Sequence, residues 1–179
     1  MFARIAASFL ALLVLPAVSF GQGGWKGIHN ASEADYQKWI NSMGNMHPVH
    51  VSVFGTGASL RFAAIANDTP NAGWYSQHDM TAEAYQKVFN QHGADGFRLI
   101  SVSGYTKNNT IKYAAIWVQD GYQGGWEGHH GQTAKEYQAT FDASVKKGLR
   151  PIHIRGYQSG KTHLIASIFA KDKYTSWQA

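Results

Sequence analysis

The chain has 179 residues, 44% hydrophobic and 15% charged, with 16 Lys/Arg against 11 Asp/Glu for a formal charge of +5. That mild excess is spread out, with no run of five like charges, which argues against a nucleic-acid surface. Cysteine is absent, so an exported chain of this composition would stand on packing alone, without disulfides.

In chain order, the first feature is a leader. Arg4 is followed by an apolar stretch over residues 5–18, interrupted only by Ser8 and Pro16, and Ala17-Val-Ser19 offers small residues for cleavage. This predicts a secretory signal peptide over residues 1–21, too short to span a bilayer comfortably and followed by no second hydrophobic segment. The expected product is secreted or periplasmic, with no membrane contact once the leader is removed. Residues 22–179 suffice for a single domain with one core.

A word then recurs: Trp25-Lys-Gly-Ile-His29, Trp74-Tyr-Ser-Gln-His78 and Trp126-Glu-Gly-His-His130. Each leads to a hydroxyl residue (Ser32, Thr81, Thr133) and then a Tyr-Gln pair beginning at Tyr36, Tyr85 and Tyr137. A fixed period near 50 residues marks an internal repeat, here with units at 24–72, 73–124 and 125–177. The Gly-Trp stretch reads as a loop. The hydroxyl residue reads as a helix N-cap, with Asp35 and Glu136 completing capping boxes. Apolar residues at helical spacing predict helices over 32–43, 81–92 and 133–146, with Gly44, Gly93 and Gly148 at or after their ends. Two β-rich runs around a short polar connection then predict a hairpin in each unit.

The expected fold is therefore α+β: three tandem loop–helix–β-hairpin repeats, with the helices packed on a curved sheet of about six antiparallel strands. Trp177 continues the tryptophan spacing, so each indole is expected to pack into the seam between units. Unit one departs most from the pattern, with Val49 aligned to Arg98 and Arg150, and Thr56 aligned to Tyr105 and Tyr157. An atypical end unit is what an array needs where no neighbour covers it.

The combination of Trp-x3-His, Thr-x3-Tyr-Gln, Gly-[Phe/Leu]-Arg, Gly-Tyr and Tyr113-Ala-Ala-Ile-Trp117 resembles a bacterial tandem-repeat family. The same repeat forms the N-terminal domain of fungal polyglycine hydrolases, and the resemblance covers residues 24–177. It implies fold, export and a role in recognising polymer or peptide substrates. The β-lactamase-like catalytic domain of those hydrolases would need a few hundred further residues, so the activity is not carried over.

Gly156-Tyr-Gln-Ser-Gly-Lys-Thr162 imitates a P-loop, but Arg155 stands where its first glycine belongs and the segment falls on a hairpin. Ser144-Val-Lys-Lys147 fits the Ser-x-x-Lys of serine β-lactamases, yet lies at a helix C-terminus, where lysines complement the dipole. His29, His78 and His130 would serve a metal only by converging; the simpler expectation is that they fix each seam, alongside Trp25, Trp74, Trp126 and Trp177. Arg98 and Arg150 read either as salt-bridged residues or as ligand contacts. Tyr105 and Tyr157 read either as seam packing or as exposed rings that stack on a polymer. Three sequons, at Asn30, Asn67 and Asn108, are placed in loops. The leading expectation is a secreted, non-catalytic module that binds an extracellular polymer or protein, without cofactor or metal. The alternatives are a hydrolase or metal-dependent enzyme built on the repeated histidines, and a purely structural assembly protein.

Overall fold

The computed structural model describes residues 24–70 and 73–171. Unit one runs β1 (Trp25–Ala31), α1 (Glu33–Asn41), β2 (His47–Phe54) and β3 (Arg61–Asn67). Unit two repeats the order as β4 (Gly73–Met80), α2 (Ala82–Ala94), β5 (Arg98–Lys107) and β6 (Thr110–Gln119). Unit three has β7 (Trp126–Gln132), α3 (Ala134–Lys146), β8 (Arg150–Ser159) and β9 (Thr162–Ala170). Each unit forms its own antiparallel sheet, in the orders β1-β3-β2, β4-β6-β5 and β7-β9-β8. The repeats and the α+β class are as expected, but two details change. The Gly-Trp stretch is a strand, and one curved sheet is replaced by three small ones. Trp-Lys-Gly-Ile-His lacks the alternation that marks a strand; its extended form comes from pairing with residues some 40 positions on, such as Trp25 with Asn67 and Trp74 with Val118.

The helices begin as the hydroxyl residues dictate. Ser32, Thr81 and Thr133 are extended N-caps whose oxygens accept from the backbone N–H of Asp35, Ala84 and Glu136, and Glu136 closes a full capping box. Gly44 and Gly148 take left-handed φ values of 60° and 76° after α1 and α3. In unit two Gly93 instead lies inside α2, and Gly96, at φ 81°, makes the turn. In the hairpin of unit two, Asn108 and Asn109 both have positive φ, the two-residue type I′ arrangement. Asn30 and Asn67 lie in strands rather than loops, so of the three sequons only Asn108 sits in a turn.

The first strand of every unit carries the same irregularity. Register breaks between Ile28 and Ala31, Gln77 and Met80, and His129 and Gln132. Asn30, Asp79 and Gly131 sit in those breaks with φ of 52°, 58° and 68°. Asn, Asp and Gly are the residues that tolerate this conformation best.

The core lies between units rather than inside them. One buried cluster joins Tyr36, Val51 and Phe62 of unit one to Tyr105, Ala114 and Ile116 of unit two. The other joins Tyr85, Leu99, Val102 and Trp117 of unit two to Ala166 and Ile168 of unit three. Strand β5 packs on β2, and β8 on β5. Ser101 and Ser103 accept from the Val51 and Val53 amides at 3.1 and 3.0 Å, while His153 Nε2 meets the Val102 backbone at 2.8 Å. No repeat could bury its apolar surface alone, which makes the seam the stabilising element.

Candidate functional site: two closed seams, one open face and a groove

Both seams are the same aromatic box. His78 of unit two stands edge-on to Tyr36 at 5.5 Å and Phe62 at 5.6 Å of unit one, and Tyr105 meets Phe62 at 6.0 Å. His130 of unit three stands edge-on to Tyr85 at 4.7 Å and Tyr113 at 4.9 Å, and Tyr157 meets Tyr113 at 5.9 Å. Trp126 crosses Phe89 of α2 at 5.4 Å, and Trp74 packs beside the first cluster. Tyr105 and Tyr157 also satisfy the strand irregularities: their hydroxyls accept from the Asp79 and Gly131 amides at 3.0 and 2.9 Å. The Tyr157 ring lies so close over Gly104 that a Cβ there would fall 2.5 Å from it. Burial pushes the Tyr36 phenol up to about 12 and raises those of Tyr105 and Tyr113.

This placement gives most of the sequence-derived candidates their surroundings. Tyr105 is 3% exposed and Tyr157 is half-buried on Gly104, and both line a cavity at the hairpin ends rather than standing out from the surface. Arg98 is committed to Asp120, with contacts of 2.5 and 3.0 Å, and lies over the Tyr122 ring at 4.7 Å. Burial would raise the Asp120 carboxyl, but the hydrogen bonds and charge of Arg98 hold it below its usual value. Arg150 occupies the same register position in unit three, half-buried at the start of β8. His29, His78 and His130 lie on an open face and in two separate seams, so they do not converge. Among the described residues no three His, Cys, Asp or Glu side chains stand together to hold a metal. Ser144 and Lys147 both donate to the Glu127 carboxylate, at 3.0 and 2.5 Å. The P-loop-like segment is strand, turn and strand. Trp177 and the leader lie outside the described residues.

The register also corrects the alignment of unit one. Phe54 pairs with Arg61 as Tyr105 pairs with Lys112 and Tyr157 with Leu164, so Phe54, not Thr56, holds the tyrosine position. Likewise His47, not Val49, corresponds to Arg98 and Arg150. In unit one, the residues that in units two and three enter the seam with the preceding unit are open among the described residues. Trp25 is 72% exposed, Phe54 47% and Ile65 47%, and His29 is exposed beside them. Sequence reasoning missed Phe54 and Ile65 because their neighbours in sequence are ordinary strand residues.

Phe54 also stands at the lip of a groove. The edge strands β2, β5 and β8, which pack on one another, bring the three hairpin ends together around a cavity of about 400 Å³, where Thr56, Thr106, Arg155 and Gln158 meet. An adjoining cavity of about 360 Å³ shares Thr56, Thr106 and Gln158 and extends to Asn108 and Asn109. The Arg155 guanidinium bonds Ser52 Oγ, tying unit three to unit one. Beneath it, the His50 and His153 rings lie 5.5 Å apart. Burial lowers both imidazole pKa values, and Arg155's charge lowers them further.

The family model for a polyglycine hydrolase-like structural repeat matches residues 22–68, 71–120 and 123–172. The chain belongs to this family. Each matched stretch opens just ahead of a unit's first strand and closes just after its third, so the repeat defined by the family and the three-stranded unit coincide. Among curated proteins none matches the chain.

Proposed function

We propose that this chain is an exported, non-catalytic member of the structural-repeat family that binds an extracellular polymer, glycan or peptide, along the groove at the three hairpin ends. The observation that carries the reading is that all three units contribute to one groove of mixed polar and apolar lining, with an exposed aromatic, Phe54, at its lip. Thr56, Thr106, Asn108 and Gln158 offer neutral donors and acceptors, and Phe54 an apolar face, the mixture that suits a polar chain with flat segments. The leader-like residues 1–21 support export. Among the described residues no helix is long and apolar enough to cross a membrane.

The test is binding of residues 22–179 to an array of glycans, peptidoglycan fragments and polyglycine peptides, with and without zinc. Saturable binding is expected, indifferent to zinc and lost in Phe54→Ala and Gln158→Ala. Binding that needs zinc, or that survives both substitutions, would contradict the reading.

A further inference from the structure

Each seam has two dissimilar sides. The incoming side offers the first-strand Trp, the His, the hairpin aromatic and a third-strand Ile: Trp74, His78, Tyr105 and Ile116 in unit two, Trp126, His130, Tyr157 and Ile168 in unit three. The outgoing side offers the helix Tyr and the second-strand β-branched residue: Tyr36 and Val51 in unit one, Tyr85 and Val102 in unit two.

Both sides occur once more, exposed, in the two outer units: the incoming set on unit one and the outgoing set on unit three. On the incoming side, Ile65 is 47% exposed although its counterparts Ile116 and Ile168 are wholly buried. On the outgoing side, Ile154 is 50% exposed although Val51 and Val102 are wholly buried, and Tyr137 is only half-buried. The same register that pairs Val51 with Ala64 and Val102 with Ala115 pairs Ile154 with Ser167, so the outgoing surface is built and ready at unit three.

We propose that the open face of unit one receives the outgoing face of unit three from a second copy of this chain, so that copies add head to tail. The two faces are not self-complementary, because a Trp-His-aromatic-Ile set mates with a Tyr-and-β-branched set in both internal seams. Each contact therefore joins unlike faces, and association is heterologous: an open chain, or a ring if the rotation closes. An exposed apolar group of this kind on a folded chain marks an interaction surface. Phe54 belongs both to this face and to the groove, but neither Ile65 nor Ile154 lines the groove, so substitutions there test this inference separately from the groove reading.

The test is sedimentation of residues 22–179 over a wide concentration range, with Ile65→Asp and Ile154→Asp as blocking variants. Both positions are about half-exposed, so the variants should fold, which thermal melting checks; Trp25→Ala is a second block on the unit-one face. The wild-type weight-average mass should rise with concentration beyond a dimer. Each variant alone should stay monomeric. An equimolar mixture of the two Asp variants should form a heterodimer and nothing larger, because each retains one good face. A wild-type mass equal to the monomer's throughout would overturn the proposal and leave the face to this chain's own residues 1–23 or to a different protein. Self-association of a single variant would overturn it as well.

Discussion

Trp126 and Trp25 hold the same place in the repeat, yet one lies edge-on to Phe89 in a closed seam and the other is 72% exposed. The pairs Ile168 and Ile65, and Tyr105 and Phe54, divide in the same way, buried in a seam and open on unit one. Residue type alone does not assign these side chains to core or surface; the presence of a preceding unit does. Stability in such an array is a sum over seams, and recognition surfaces arise where the sum stops.

The comparison can be broken most forcefully at the helix tyrosines. Tyr85→Ala removes a wholly buried ring from the second seam and should cost about 4 kcal/mol in urea unfolding. Tyr137→Ala, at the equivalent but half-buried position of unit three, should cost clearly less. Equal losses would mean that unit three packs as fully as unit two. A smaller effect is expected at the hairpin: Tyr157→Phe strips the acceptor from the Gly131 amide and a partner from Tyr113, at roughly 1–2 kcal/mol. Unit one already carries Phe54 there and has no such bond to lose. Thr133→Ala, which removes the cap and box of α3, should cost about 1 kcal/mol, read as a shift in the urea midpoint at constant slope.

The gentlest probe is pH. His50, His130 and His153 all have pKa values lowered, first of all by burial. The unfolded chain, with imidazoles near about 6.5, then binds more protons than the folded one below that value. Stability should be full above about pH 7 and decline as pH falls through 6.5 toward 5. His153→Gln should flatten the decline, and a flat wild-type profile over this range would show that these rings are solvated.

Much of the fold was legible because its signals are local. Ser32, Thr81 and Thr133 announce the helices, and Asn108-Asn109 a tight hairpin. The first strands were not legible because their pairing reaches across a helix and another strand to a partner some 40 residues on. Unit one was misaligned for a physical reason. Its helix has 9 residues against 13 in the other two units, and Trp25 to His47 spans 22 residues where Trp74 to Arg98 spans 24. Reading unit one without that two-residue deficit placed Val49 and Thr56 where the sheet register places His47 and Phe54. Tyr105, Tyr157 and Arg98 were rightly marked as repeated or charged features, but their burial and pairing depend on the neighbouring unit. The groove could not be seen at all, because it joins three segments some 50 residues apart.

The claim that seams carry the stability, and that unit one displays an unmated one, is tested most directly by one matched pair of urea titrations. Trp126→Ala should lower the unfolding free energy by about 3 kcal/mol, as for a large aromatic lost from a packed interface, while Trp25→Ala should change it by no more than about 0.5 kcal/mol in the monomer. Comparable losses for both would contradict the account, because they would place the Trp25 indole in a packed environment like that of its counterpart.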